Sequence, residues 1–225
     1  MTAPIARKPE PELMDLPAEV HAYAVADFSA VNQLFTARLM EIAGAHETAQ
    51  AVDLGTGPGD IPIRVANARP GWRIRAVDAS APMLDVARAA IAQAGLARNI
   101  ELVLADAKDT RLPAGSFDVI FSNSILHHVS SPAAFWRELR RIALPGASVL
   151  LRDLARPPSE ERARELVKQN AGGESALLQE EFFRSLLSAY TVEEVRAQLA
   201  AAGLDMLRVA MISDRHLDVF GTLQA

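Results

Sequence analysis

The 225-residue chain contains no cysteine. Disulfides, thiolate metal sites and cysteine nucleophiles are excluded together, and the absence fits a reducing compartment. Excess positive charge is missing too: the formal net charge is −5. Nucleic-acid binders usually carry a basic face that displaces counterions from phosphates, so a polynucleotide is not the expected partner. No stretch approaches the roughly 20 apolar residues that cross a bilayer. Residues 1–17 hold no apolar run long enough for a signal peptide. A soluble, cytoplasmic protein with no membrane partner is expected. There is no internal repeat and no low-complexity tract.

Half the residues are hydrophobic and 23% are charged, which is enough for a sizeable core in an ordinary globular chain. Residues 1–12, with prolines at 4, 9 and 11, read as a loose tail. From 16 to 43, Val20, Tyr23, Ala24, Phe28, Val31, Leu34, Phe35, Leu39 and Ile42 recur at three- and four-residue steps, the pattern of one or two amphipathic helices. Strands and helices then alternate. Strands are expected at 49–54, 72–77, 100–104, 117–122 and 147–151, with helices at 61–68, 81–94 and 132–143. That order implies parallel βαβ units. A charged helix at 159–170 and a second at 175–187 interrupt it. Thr191-Val-Glu-Glu194 is a capping-box sequence, so a helix should begin there and stop at Gly203. Segments 204–212 and 216–223 read as a hairpin. The fold class is α/β: a Rossmann-like, doubly wound, mostly parallel seven-stranded sheet with a C-terminal β-hairpin and a helical cap. Residues 1–225 are expected to form one domain: an N-terminal helical segment (1–48), a cofactor-binding core (49–153), a helical insertion (154–190), and a C-terminal helix and hairpin (191–225).

The most informative segment is Val52-Asp-Leu-Gly-Thr-Gly-Pro-Gly59, between a strand and a helix. Glycines there let backbone approach a ligand where a Cβ would clash. The dinucleotide fingerprint wants a third glycine at position 60, where this chain has Asp60. Asp78 ends the second strand, 19 residues after Gly59, and an acidic residue there can accept hydrogen bonds from ribose hydroxyls. Asp106 follows the third strand. All these positions lie at the carboxyl ends of strands, where open α/β sheets bind ligands.

With Ala76-Val-Asp-Ala-Ser80, Leu104-Ala-Asp-Ala107 and Ser116-Phe-Asp-Val-Ile-Phe-Ser-Asn123, the chain resembles the class I S-adenosylmethionine-dependent methyltransferases over roughly residues 50–153, and Leu126-His127-His128-Val129 resembles their small-molecule branch. The resemblance implies S-adenosylmethionine as cofactor and S-adenosylhomocysteine as product. It implies that Asp53 holds the methionine amino group, that Gly55, Thr56, Gly57 and Gly59 line the methionine and ribose, and that Asp78, with Ala79 beside it, takes the ribose hydroxyls. Met83 would pack on adenine, Asp106 and Ala107 would face the adenine amino group, and Asn123 the methionine moiety. The Asn/Asp-Pro-Pro-Tyr/Phe motif of many amino-methylating relatives is absent; Ser122-Asn123-Ser124-Ile125 stands there, which points away from base or protein acceptors.

Candidates for the acceptor end are less constrained. His127 and His128 either act as a base and orient the acceptor, or cap and pack their loop. Asp153 is a candidate catalytic residue, and Arg152 and Arg156 either clamp an anionic acceptor group or form internal ion pairs. Tyr23, on the N-terminal helical segment with Asp27 and Asn32, either lines the acceptor pocket or is a half-buried helix tyrosine. The insertion at 154–190 is a lid or a homodimer interface. Its Phe182, Phe183, Leu186 and Leu187 supply an apolar face, hence an expected small, apolar or aromatic acceptor. Asp214, His216 and Asp218 lack an obvious fourth ligand, so no metal is expected. The rival readings are a nicotinamide-dependent oxidoreductase, a non-catalytic cofactor-binding protein, and a methyltransferase acting on RNA or protein.

Overall fold

The computed structural model describes residues 5–13, 15–44 and 46–224. Two helices, α1 (Pro17–Val25) and α2 (Ser29–Ala43), precede the sheet. Strand β1 (Gln50–Leu54) leads into α3 (Asp60–Ala68), β2 (Arg73–Asp78) into α4 (Ala81–Gln93), and β3 (Ile100–Leu104) into a long loop. Strand β4 (Phe117–Asn123) is followed by a 3-10 turn (Leu126–His128), α5 (Pro132–Ile142) and β5 (Ala143–Leu154). The insertion holds α6 (Glu160–Ala171) and α7 (Ala176–Ser188); α8 (Val192–Ala201) and the hairpin β6 (Arg208–Met211) and β7 (His216–Thr222) close the chain.

The seven strands lie in the order β3-β2-β1-β4-β5-β7-β6. All neighbours pair in parallel except β7, which is antiparallel to both β5 and β6. Both faces of the sheet are covered, and residue alternation assigns them. Val52, Leu54, Ile120, Val149 and Leu151 point to the side of α5 and α8, where Phe135, Trp136, Leu139 and Leu199 pack. Ala51, Val119, Phe121 and Leu150 point to the side of α2, α3 and α4, against Phe35, Leu39, Val65 and Ile91. Strand order reverses between β1 and β4, and the crevice at that switch point receives ligands in such sheets.

Local signals explain most boundaries. Ser80 caps α4 by accepting from Met83 N, with a proline in the first turn. Thr191 and Glu194 form the expected reciprocal box at α8. The stop at Gly203 also holds, with φ +67°. Three readings change. Strand β5 runs through Pro145-Gly146, because the ladder pairs Phe117 with Ala143 and restarts at Val119–Ser148 after a bulge. Residues 204–207 turn before β6 begins at Arg208. Val31 and Leu34 lie on an exposed side of α2, Leu34 at 67% exposure.

The largest change is at the N-terminus. Residues 1–4 lie outside the described residues, but 5–13 form a fixed strap. Arg7 donates through Nε to the Ser188 carbonyl (2.6 Å) and through Nη2 to the His127 carbonyl (2.8 Å), and stacks 4.1 Å above the Tyr190 ring. The Lys8 amide donates to the Leu187 carbonyl at 3.0 Å. The segment has no helical or strand period because its bonds go to side chains and loops, which periodicity does not register.

Candidate active site

A cavity of about 820 Å³ opens along the carboxyl ends of β1, β2, β4 and β5, near the upper end of the range for small-molecule sites. At its first end, the loop after β1 is pinned to β2: Gly55 N and Thr56 N both donate to the Val77 carbonyl, at 2.8 and 2.9 Å. Gly55 has φ +78°, and a Cβ there would meet Ile125 Cδ1 at 2.6 Å. Asp78 ties the same loop down, accepting from Gly57 N at 2.7 Å and from Ser80 N at 2.8 Å. Burial raises the Asp78 carboxyl above the usual range, against those amide donors.

Asp53 is 1% exposed. Its Oδ2 and the nearby Thr56 Oγ1 are buried with no hydrogen-bond partner among the described residues. Burial pushes the Asp53 carboxyl up to about 7 against the neighbouring Thr56 hydroxyl, with a further rise from the Asp78 charge. A buried carboxylate oxygen left unpaired beside a cavity costs free energy until a donor arrives. Around it, Gly57, Ala79 and Met83 line the wall, followed by Asp106 and Ala107. Asp106 is exposed and holds its own loop, accepting from Lys108 N (2.8 Å) and pairing with Lys108 Nζ (3.0 Å). Asn123 ends β4 and approaches Asn32 of α2 at 3.4 Å, while Asn32 donates to Asp60 at 2.8 Å. Helix α2 thereby closes over the glycine loop. Ser124 adopts φ +63°, a conformation that costs a non-glycine residue and concentrates at functional sites.

At the second end, the 3-10 turn carries His127 inward to 4% exposure. His127 Nδ1 lies 2.6 Å from Asp153 Oδ1, and Asp153 also accepts from Leu126 N (2.5 Å) and Leu154 N (2.6 Å). Burial alone would depress the imidazole, but Asp153 and Glu10 outweigh it and raise His127 above the usual histidine range. Asp153 is held below the carboxylate range: burial opposes this, and the His127 ring and the amide donors prevail. His128 packs on His127 with ring centres 4.2 Å apart; burial and the His127 charge push it down to about 3. Tyr23 lines the same end and stacks on Phe28 at 4.9 Å. Burial, then the charges of Asp153, Asp78 and Asp60, push its hydroxyl up to about 12.

Several expected site residues have other employment. Gly59 does not line the cavity. Its φ is +87°, and a Cβ would come 3.0 Å from the Ala87 Cβ of α4, so helix packing explains the glycine. Arg156 also lies off the cavity, donating to the Ala189 carbonyl at 2.9 Å and pairing with Glu194 at 2.6 Å; the internal ion pair replaces the anion clamp. Arg152 does line the cavity, but its guanidinium grips the fully buried Asp218 through two bonds of 2.7 and 2.9 Å. With Asp218 so engaged, and His216 Nδ1 3.1 Å from Ser213 Oγ, the hairpin gathers no ion ligands. In the insertion, Leu186 and Leu187 are buried with Leu154, Leu166 and Val167 in a core of their own. Phe183 packs against that core too, under Arg164 at 4.6 Å. Helix α7 instead turns Leu178, Glu181, Phe182 and Ser185 to the cavity, a mixed surface.

Glu10 is the residue that sequence reasoning missed. The strap buries its carboxylate to 7% exposure, with Oε1 3.5 Å from His127 Nε2 and 3.4 Å from His128 Nδ1. Burial raises the Glu10 carboxyl, and the His127 charge offsets this only in part. A carboxylate in a proline-rich segment before the first helix offers no spacing signal that links it to position 127.

Residues 52–151 match the methyltransferase-domain family. That match spans somewhat under half of the 225-residue chain. A ubiquinone/menaquinone biosynthesis C-methyltransferase of Pseudomonas savastanoi is 25% identical over 161 residues, 68% of this chain and 63% of that protein. The match thus spans under two thirds of that relative's length. A tuberculostearic acid methyltransferase of Mycobacterium tuberculosis is 30% identical over 122 residues, 53% of this chain and 27% of the relative. In fold, the chain is similar to a methyltransferase structure from Aquifex aeolicus, with a TM-score of 0.68, 21% identity, and coverage of 93% of this chain and 100% of the other. The Asp53 carboxylate oxygen beside Thr56 is a buried acceptor that suits a cationic donor such as an ammonium group.

Proposed function

We propose that this protein is a methyltransferase that transfers a methyl group from S-adenosylmethionine to a small acceptor bound between Tyr23, Phe182 and the His127–Asp153 pair. The observation that carries the reading is the buried, unpaired Asp53 carboxylate oxygen at the closed end of a cavity whose other end is also lined. Asp53 and Thr56 would hold the methionine end, Asp78 the ribose hydroxyls, Met83 the adenine face, Asp106 and Ala107 its edge. Asn123 would sit beside the methionine moiety. When bound, the cofactor supplies an already activated methyl group on a sulfonium. What remains for the chain is to align the acceptor and exclude water, and proximity supplies much of the rate.

The acceptor end fits this division. Tyr23 and Phe182 offer ring surface, and the α7 residues Glu181 and Ser185 add polar positions. Asp153 fixes the orientation of His127 by the 2.6 Å bond to Nδ1. A small-molecule acceptor is also in keeping with relatives named for quinone biosynthesis and for tuberculostearic acid. Acidic overall charge and the missing amino-methylation motif favour it over RNA or protein, and the reading places the protein among soluble cytoplasmic enzymes.

The test is transfer of an isotopic methyl label from S-adenosylmethionine into small-molecule, RNA and protein fractions of a cell extract, read by mass spectrometry. Label is expected in the small-molecule fraction, reduced at least tenfold with Asp78→Ala. Label confined to RNA or protein overturns the acceptor class. No label anywhere, with cofactor binding confirmed, overturns catalysis in favour of a binding protein.

A further inference from the structure

Glu10, His127 and His128 are 117 or more positions apart along the chain from strap to turn, yet their ligand-capable atoms all lie within 4.8 Å of one another. Glu10 Oε1 is 3.5 Å from His127 Nε2 and 3.4 Å from His128 Nδ1. Those separations are long for hydrogen bonds, which run at about 2.7–3.2 Å for N–H···O. They equal the edge of a coordination tetrahedron: ligand atoms about 2.0–2.1 Å from a zinc ion stand about 3.4 Å apart. The two Glu10 edges thus match donors that share an ion, and the edge between the two histidine nitrogens is no longer than 4.8 Å.

The surroundings match. Asp153 Oδ1 lies 2.6 Å from His127 Nδ1, which puts a proton on Nδ1 and turns Nε2 toward Glu10. A carboxylate behind a histidine, fixing its tautomer, is the usual outer partner of a metal-bound imidazole. Ser185 Oγ donates to Glu10 Oε1 at 3.1 Å and holds that carboxylate. The Glu10 and Asp153 carboxylates carry the charge that a divalent cation balances once it displaces the proton of His127 Nε2. The nearby Arg7 guanidinium spends its donors on Ser188 and on the carbonyls of His127 and Val129. His128 Nδ1 lies 3.2 Å from the Pro11 carbonyl and donates to it when no ion is bound, so ligation requires that proton to leave.

We propose that Glu10, His127 and His128 form a three-ligand site for a divalent transition-metal ion, zinc being the best fit, with Asp153 as its supporting partner. Both histidines line the cavity, and three protein ligands with one open position are the pattern of catalytic rather than structural zinc. The open position suits an acceptor hydroxyl or thiol, whose proton a bound dication makes easier to lose to solvent. That last role rests on the methyltransferase reading; the site itself does not.

The experiment uses untagged full-length protein, stripped with chelator, dialysed, and titrated calorimetrically with Zn²⁺ alone. One ion per chain is expected. Glu10→Gln and His128→Gln should each weaken binding at least 10-fold, and Asp153→Asn by about 10–100-fold, while the exposed His21→Gln and His46→Gln change nothing. Circular dichroism checks that each variant folds. Should the strap variants unfold, the Co²⁺ derivative of the wild type decides: intense visible bands of a four-coordinate site are expected. Absence of stoichiometric Zn²⁺ binding, binding that depends on His21 or His46 instead, or a six-coordinate Co²⁺ spectrum overturns the proposal. None of these readouts needs methyl transfer, so failure here leaves the proposed function standing.

Discussion

The two ends of the cavity are built by different means. At the β1–β2 end, each group is placed by its own strand terminus: Asp53 by β1, Asp78 by β2, Asn123 by β4, with the glycine loop bonded to the adjacent strand. At the His127 end, the groups come from the strap, the 3-10 turn, β5 and α7, and they hold each other. Ser188 Oγ donates to the His127 carbonyl at 2.7 Å, and Tyr190 Oη to the Val129 carbonyl at 2.8 Å. A strand-end site is preorganised by the sheet and can be altered one side chain at a time. A site assembled from distant segments ties its chemistry to local stability, and such regions open more easily than core strands.

The sharpest way to break that contrast is Asp153→Ala. It removes the acceptor of three backbone amides and one imidazole, all buried. Loss of a buried charged partner costs about 3–5 kcal/mol, read as a fall in chemical-denaturation stability. Cofactor affinity in the still-folded fraction should stay within about threefold, since the change is well under 1.4 kcal/mol. Equal damage to both would mean the two ends are one cooperative unit.

Asp78→Ala is the converse. It should weaken S-adenosylmethionine binding by about 10–100-fold in calorimetry, the worth of one or two hydrogen bonds to a charged group, with a smaller effect on stability than Asp153→Ala.

A pH dependence separates the ends further. Asp53 sits at about 7, and only its ionised form attracts an ammonium. Affinity for the cofactor should therefore fall as pH drops below 7, approaching about tenfold per unit, and level off above it. The same raised value means the folded chain binds a proton that the unfolded chain has lost between about pH 4 and 7. This group's contribution to stability consequently declines as pH rises through that window. Asp53→Asn should flatten both curves; an unchanged binding profile would remove Asp53 from the site.

The smallest effect is expected at the strap's outer edge. Lys8 pairs with Glu160 at 2.5 Å, but both are well exposed, so Lys8→Ala should cost less than about 1 kcal/mol.

The same contrast governs what the sequence revealed. Strand ends and glycine turns are local, so the apolar runs, Asp78 and the Thr191–Glu194 box were readable from spacing. Gly59 and Arg156 were expected at ligands, but a glycine that packs on Ala87 and an arginine paired with Glu194 look the same in sequence as ligand contacts. Leu186 and Leu187 fit the helical apolar period, but that period does not say which neighbour the face meets. The strap was read as loose because its order comes from Arg7, Glu10 and Glu12 bonding to residues more than 90 positions away, which no local pattern encodes.

The central claim is that the strand-end crevice is built for S-adenosylmethionine. Parallel titrations of the wild-type chain with S-adenosylhomocysteine and with NADH test it most directly. The account predicts one saturable site for the former, weakened at least tenfold by Asp78→Ala, and no saturable binding of the dinucleotide. Saturable NADH binding without S-adenosylhomocysteine binding would contradict it.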